Sequence, residues 1–312
     1  MRAFVVVNPQ SANGRTARDW PAIERNLLGL YAQLEVRTTS RRGEATGYVR
    51  NALQEGHGEI IAVGGDGTIN EAMNGFFDAD GSIAPDAVFS FVTSGTGGDF
   101  RKTFGIAPGW PAAVARLKGA RATPVDVGRV SCLTAAGAPI VRYFANIASF
   151  GLSGAVVDSV NRARVAKLFG GQFAFAFHSG LDMLTYRDRA VRIRADGAFD
   201  EIASISTVAI ANGQYFGGGM RVAPTAKPDD GLFDIVIMGG APKGEAIADM
   251  KLLYTGEHVN RPHVQCLRGR TVMAVPVAET KGRPVLIELD GESVGRLPAT
   301  FEILPRSLNL RC

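Results

Sequence analysis

From residue 2 the chain alternates short apolar runs with segments whose apolar residues recur every three or four positions. The order is "AFVVV", "RDWPAIERNLLGLYAQL", "LEVRTT", "GEATGYVRNALQEG", "EIIAV", "INEAMNGFF" and "AVFSFVT". Strands separated by amphipathic helices read as βαβ units, hence a parallel sheet with helices on its faces. Ligands of such sheets gather beyond the carboxyl ends of the strands. The polar loops that follow the apolar runs are therefore where chemistry is expected, and "INEAMNGFF" predicts a helix beginning near Ile69.

From about Thr123 the pattern changes. "TPVDVGRVSC", "PIVRYFANIASFG", "AVRIRAD", "ASISTVAIANG", "FDIVIMGG", "TVMAVPV", "PVLIELDGE" and "ATFEIL" are β-rich pieces punctuated by Gly, Asn, Asp and Pro. They predict a largely antiparallel β domain over residues 124–304, after an α/β domain over 1–123. Helical insertions are expected near 153–187 and 242–256, "TAAGAPI" at 134–140 reads as a hairpin turn, and the tail 305–312 reads as one more strand returning to the first domain. No internal repeat or low-complexity tract interrupts the pattern.

Composition narrows the class. The 312 residues are long for one core, and 46% hydrophobic with 21% charged residues excludes disordered and fibrous chains. A net charge of +4, spread along the chain, favours anionic partners such as phosphates or a lipid surface. Basic residues are not interleaved with aromatics, so no nucleic acid is expected. Cys132, Cys266 and Cys312 lack metal-ligand or disulfide spacing, which suits a reducing cytoplasm. His57, His178, His258 and His263 form no ligand set. The apolar start stops at Asn8 and Pro9, too short for a signal peptide, and no run approaches the roughly 18 apolar residues of a membrane span. A cytoplasmic chain that visits a membrane surface peripherally, without spanning it, is expected. Its oligomeric state is not legible.

"GGDGT" follows the strand "EIIAV" directly. Gly64, Gly65 and Gly67 permit positive φ and let a ligand reach backbone N–H groups at a helix start, where the helix dipole favours phosphate. Asp66 would act only through a metal or a hydroxyl. The competing reading is a tight strand-to-helix turn, with Thr68 and Glu71 as a capping box. A second glycine turn, "SGTGGDF" at 94–100, ends the next strand, and "VVVNPQSANGR" places Asn8 at the end of the first. All three loops share one expected edge. None is a Walker loop or a G-x-G-x-x-G fingerprint.

"NPQSANG", "GGDGTINEAMNG", "SGTGGDF", "APTAKPDDGLFDIVI" and "LDGE" together resemble the diacylglycerol kinase catalytic-domain family, bacterial soluble lipid kinases related to sphingosine and ceramide kinases. "GGDGT" alone is shared with NAD kinases and phosphofructokinases. The resemblance implies an N-terminal α/β domain that binds ATP, a C-terminal β-sandwich, and a lipid cleft between them. By motif position it implies nucleotide contacts at Asn8, Thr39, Gly64, Gly65, Asp66, Gly67, Thr68, Ile69, Asn70 and Thr96. The family's Asn in the second glycine turn is Gly98 here, which leaves more of that loop's role to Asp99.

The resemblance also implies Asp290 as the base that deprotonates the lipid hydroxyl. Glu292 would assist on the same face of a continuing strand, and Asp126 would join the active-site network. By composition alone "LDGES" is a turn and Asp126 a domain-junction residue. The resemblance further implies an Mg²⁺ site at Asp230 and the carbonyls of Lys227 and Leu232. Alternatives that stay open are a kinase for a soluble acceptor such as NAD and a non-catalytic nucleotide-binding regulator. Phe169, Phe173, Phe177, Leu181 and Leu184 share one helix face, read as core with an acyl-cleft role as the minority alternative. Arg162, Arg164, Lys167, Arg187, Arg189, Arg192 and Arg194 read as solvated surface, with anionic headgroups as the alternative.

Overall fold

A computed structural model of the chain describes residues 2–93, 98–162, 185–277 and 284–312. Thr96, His178, Arg164, Lys167 and the Phe169–Leu184 face lie outside the described residues, as does the side chain of Arg162.

The first part runs β1 (Arg2–Val7), α1 (Arg15–Leu28), β2 (Gln33–Thr38), α2 (Glu44–Gln54), β3 (Glu59–Gly64), α3 (Asp66–Asn74), a short pair β4 (Phe77–Asp78) and β5 (Gly81–Ser82), β6 (Val88–Thr93), α4 (Asp99–Thr103) and α5 (Trp110–Leu117). β2, β1, β3 and β6 lie side by side and all run parallel. Alternation along the strands makes two apolar layers. Phe4, Val6, Ile60 and Ala62 pack with Val49 and Met73 of α2 and α3. Val5, Val7, Ile61 and Val63 pack with Ile23, Leu27 and Val114 of α1 and α5. A strand covered on both faces needs apolar residues at every position, which is why "FVVV" and "IIAV" do not alternate.

From Ala122 onward strands dominate: β7 (Ala122–Leu133), β8 (Pro139–Phe144), β9 (Ile147–Gly151), α6 (Leu152–Arg162), β10 (Arg189–Ala195), β11 (Phe199–Ile205), β12 (Thr207–Ala211), β13 (Phe233–Met238), α7 (Lys243–Thr255), β14 (Val264–Gly269), β15 (Thr271–Pro276), β16 (Leu286–Leu289) and β17 (Glu292–Arg311). Their mutual pairings are antiparallel. The inward residues of these strands, among them Phe144, Phe150, Phe233 and Phe301, make a separate core. The turn expected at 134–140 is present, closed by Gly137 N–H donating to Thr134 O at 2.9 Å with Gly137 at φ +86°. The α/β-then-antiparallel architecture is thus the one the hydrophobic pattern predicts.

β17 connects the two parts. Its first half pairs with β16 and β15, most of its length pairs with β7, and Asn309–Arg311 pair in parallel with Val88–Ser90 of β6. One sheet therefore runs from the parallel strands into the antiparallel ones. Arg311 forms an ion pair with Glu59 at 3.1 Å, and the buried Glu59 also accepts from Tyr31 and Ser90. Among the described residues no helix is long and apolar enough to cross a membrane.

Candidate active site

Two hollows meet at α3. The smaller, about 320 Å³, is polar and lies beyond the carboxyl ends of β1, β2 and β3. Asn8, Ser11, Thr39, Arg42, Gly65, Gly67, Thr68 and Glu292 line it. Asn8 Nδ2 donates to Thr68 Oγ1 (3.0 Å), and Gly65 N–H donates to Ser11 Oγ (3.3 Å). Thr39 N–H donates to Val7 O at 2.8 Å, which fixes the loop that carries Arg41 and Arg42. Hydroxyls, a helix start and guanidinium groups converging on one hollow suit phosphate oxygens.

The glycines serve this hollow for a different reason from the one the motif suggests. None of Gly64, Gly65 and Gly67 has positive φ. A Cβ on Gly64 would sit 2.6 Å from Thr68 Oγ1, and one on Gly67 would sit 2.8 Å from Glu292 Oε1. Close approach to Thr68, and not left-handed backbone, demands glycine at 64; a Cβ at 67 would press on the movable end of Glu292, and one at 65 would meet nothing within 4 Å. The capping box is also corrected. α3 starts at Asp66 rather than near Ile69, Gly65 is its N-cap without a side-chain bond, and Thr68 lies inside the first turn. The Thr68 hydroxyl faces Asn8 instead of the helix end.

The larger hollow, about 1140 Å³, lies on the other side of α3. Its polar end holds Asp66, Asn70, Asp99, Glu288 and Asp290, and its remainder is largely apolar, with Ile69, Met73, Val156, Met220, Met250 and Leu253. Ile69 and Asn70, expected at the nucleotide, thus face this hollow together with Asp66.

Asp290 and Gly291 form the two-residue turn between β16 and β17, with φ +48° and +87°, across the Leu289–Glu292 pair. That turn overturns the expectation that Asp290 and Glu292 share one face of a continuing strand. Asp290 Oδ2 accepts from Asn70 Nδ2 (2.7 Å) and Ala145 N–H (3.3 Å), and Oδ1 from Asn146 N–H (3.2 Å) and Ile147 N–H (2.9 Å). Burial nevertheless lifts its carboxyl to about 6, with the hydrogen bonds pulling the other way. Glu292 turns to the polar hollow, ion-paired with Arg42 and against Gly67. The hairpin tip thus straddles α3, with one carboxyl on each side.

Sequence reasoning missed three groups here. Arg42 is one; the basic pair beside Thr39, at the binding edge, was its available signal. Glu288 is another: it is buried, accepts from Gly291 N–H (2.9 Å) and lies 2.5 Å from Ser149 Oγ, and burial lifts it to about 7. The third is Lys102, 2.9 Å from Asp99, whose other oxygen accepts from Gly218 N–H at 2.7 Å. Gly98 lies at φ +61° with the Arg101 side chain against it: a Cβ there would stand 2.7 Å from Arg101 Nε. Arg101 fills the space that an Asn at 98 would need.

Two expected groups are not brought to this cluster. Asp126 is fully buried away from both hollows, where it accepts from Gly231 N–H and Arg306 N–H, each at 2.7 Å. Its carboxyl fastens the 227–232 loop to a bend in β17, and its link to the acidic turn is indirect, through Asn212, which donates to both Asp126 O (2.9 Å) and Ala145 O (2.8 Å). Asp230 is ion-paired with Arg268 and accepts from Leu232 N–H at 3.2 Å. A guanidinium on the sole carboxylate of the Lys227–Asp230–Leu232 set does not fit Mg²⁺. Asp66 fits a cation better: its Oδ1 is buried without a hydrogen-bond partner, and burial with the nearby Asp99 raises its carboxyl. Among the described residues the one trio of metal-capable side chains in mutual reach is Glu35, Glu55 and His57. It lies at the opposite edge of the parallel sheet, and Arg2 donates to His57.

Polar hollow, acidic turn and apolar hollow, arranged around the first helix after a glycine turn, define a two-part kinase fold. The match to known families agrees. Residues 2–130 match the diacylglycerol kinase catalytic domain, and residues 146–312 match the YegS C-terminal NAD kinase beta sandwich-like domain. The chain belongs to the diacylglycerol kinase catalytic-domain family. It is 29% identical to the diacylglycerol kinase of Bacillus subtilis, with 99% of this chain and 95% of the relative covered, and 28% identical to that of Staphylococcus carnosus, with 96% and 91% covered. Its fold is similar to a solved diacylglycerol kinase of Bacillus anthracis (TM-score 0.71, 21% identity, 99% and 96% covered). It is more distantly similar to yeast NADH kinase complexed with NADH (TM-score 0.51, 11% identity, 100% and 82% covered).

Proposed function

We propose that the chain transfers the γ-phosphoryl group of ATP to the hydroxyl of a lipid, diacylglycerol or a related glycerolipid. The observation that carries this reading is the β16–β17 hairpin tip seated on α3 between a polar hollow and a largely apolar one. The triphosphate lies against Asn8, Thr68, Arg42 and the first turn of α3. The acyl chains occupy the apolar hollow, so the acceptor hydroxyl reaches its acidic end. There Asp290 takes the hydroxyl proton as the oxygen attacks the γ-phosphorus and the bond to the β-phosphate oxygen breaks, leaving ADP. A base near 6 is ionised at neutral pH and still accepts a proton readily. Mg²⁺ held by Asp66 would neutralise charge on the transferred group. Asn70 and the amides of residues 145–147 fix the carboxylate's orientation.

Labelled ATP offered with diacylglycerol, phosphatidylglycerol, ceramide, a sphingoid base and NAD tests the reading. Asp290→Asn should lower kcat by about 10²–10⁴ while leaving ATP affinity within a few-fold. For the wild type, kcat/KM should rise with pH through about 6 as Asp290 loses its proton. Full activity in the variant removes Asp290 as the base, and NADP as the sole product moves the enzyme to a soluble acceptor. ATP binding without turnover of any acceptor leaves a regulator.

A further inference from the structure

One surface of the molecule is apolar, exposed and continuous with the larger hollow. α7 buries none of its residues completely, and Ile247, Met250 and Tyr254 stand 47%, 38% and 57% exposed. At about 100° per residue these three share one third of the helix circumference with Lys243 and Lys251. The acids Glu245 and Asp249 fall on the opposite side, where Asp249 is held by Arg261 at 2.8 Å. A helix packed only for stability would turn its apolar stripe inward. Here Ala246 and Leu253 line the hollow together with Lys243 and Asp249, and Met250 and Tyr254 belong both to its lining and to the exposed stripe. Arg221 N–H holds the helix in place by donating to Leu253 O at 2.7 Å.

We propose that the Ile247–Met250–Tyr254 edge of α7 docks on an anionic bilayer, so that a lipid passes from the membrane into the hollow along the helix without crossing water. Two observations select a bilayer over other partners. The apolar stripe is unbroken from the surface into the hollow, as transfer of an acyl chain requires. The charges on the helix are also segregated, with Lys251 beside the apolar edge, where its stem lies along apolar surface and its ammonium group meets headgroups, and Glu245 and Asp249 away from that edge. The proposal rests on the lipid-kinase reading for the reason a membrane is met at this place.

Full-length protein is sedimented with vesicles of phosphatidylcholine alone or with phosphatidylglycerol. Wild type should pellet with the anionic vesicles, less so at high salt. The variant Ile247→Glu/Lys251→Glu changes two exposed positions outside the lining of either hollow. It should need at least about tenfold more lipid for half-sedimentation, a change of about 1.4 kcal/mol, with ATP binding retained as the folding control. Lys251→Glu alone removes no apolar contact and should show a smaller loss in the same direction. Equal sedimentation of variant and wild type overturns the proposal, as does a wild type that ignores anionic vesicles or elutes as a dimer that the variant splits. Wild-type vesicle binding lost in the variant, with no lipid phosphorylated by either, supports the docking edge and sinks the function proposed above.

Discussion

Glu288 shows how much a single side chain at this site depends on its surroundings. It has no solvent, its oxygens meet Ser149 and Gly291, and Asp290 and Asp99 lie near enough to oppose its charge. Its carboxyl titrates near 7 in the fold against an ordinary 4.5, so ionisation is disfavoured by folding. Its stability contribution is therefore complete below about 4.5 and is lost as pH rises through 7. Glu288→Gln should come close to wild type at pH 4.5 and exceed it by roughly 3 kcal/mol at pH 8. Urea unfolding at both pH values reads the difference, and an equal gap at the two would mean the carboxyl is not the cause. Legibility at this scale was uneven. Asp290 and Asn8 sit in motifs that a reader can find. Glu288 reads as one more residue of an apolar strand, since nothing local reveals that Ser149 arrives beside it from β9.

At the scale of elements, α3 is the divider between the hollows, and its first turn is built around missing side chains. Gly67→Ala keeps an allowed backbone and improves helix propensity by up to about 1 kcal/mol. Its methyl group, however, meets Glu292 at the rim of the polar hollow. The melting temperature should hold or rise slightly while ATP affinity falls by about tenfold, roughly 1.4 kcal/mol. A thermal scan paired with nucleotide titration checks both, and unchanged affinity would place the phosphates elsewhere. The alternating apolar runs made the strands and helices legible. The start of α3 and the role of its glycines were not, because glycine spacing in a sequence does not distinguish a left-handed backbone from two groups pressed together. The same limit applies to "LDGE": its turn chemistry was readable, but that the turn sends Asp290 and Glu292 to opposite sides of a helix depends on where the hairpin docks.

Over the whole molecule, β17 sets the relation between the parts. The tail's return was suggested by its residues, whereas the continuity of one sheet was not, since register between distant strands leaves no local pattern. Arg311 at its end faces Glu59, Tyr31 and Ser90 in the parallel part. Arg311→Met would leave the buried Glu59 without its cation and should lower the unfolding free energy by about 3 kcal/mol. Equilibrium denaturation measures it. An effect below about 0.5 kcal/mol would show that the tail is not held there by charge.

The strand that completes the open edge of β6, Asn309–Arg311, is synthesised long after β6 itself. While the ribosome is still translating, the α/β portion has its glycine turn, its helices and most of its core, yet carries an unsatisfied row of amides and carbonyls along β6. Closure of this edge consequently waits until residues 309–311 have been synthesised, and nascent chains paused before residue 309 should depend on a chaperone to stay apart.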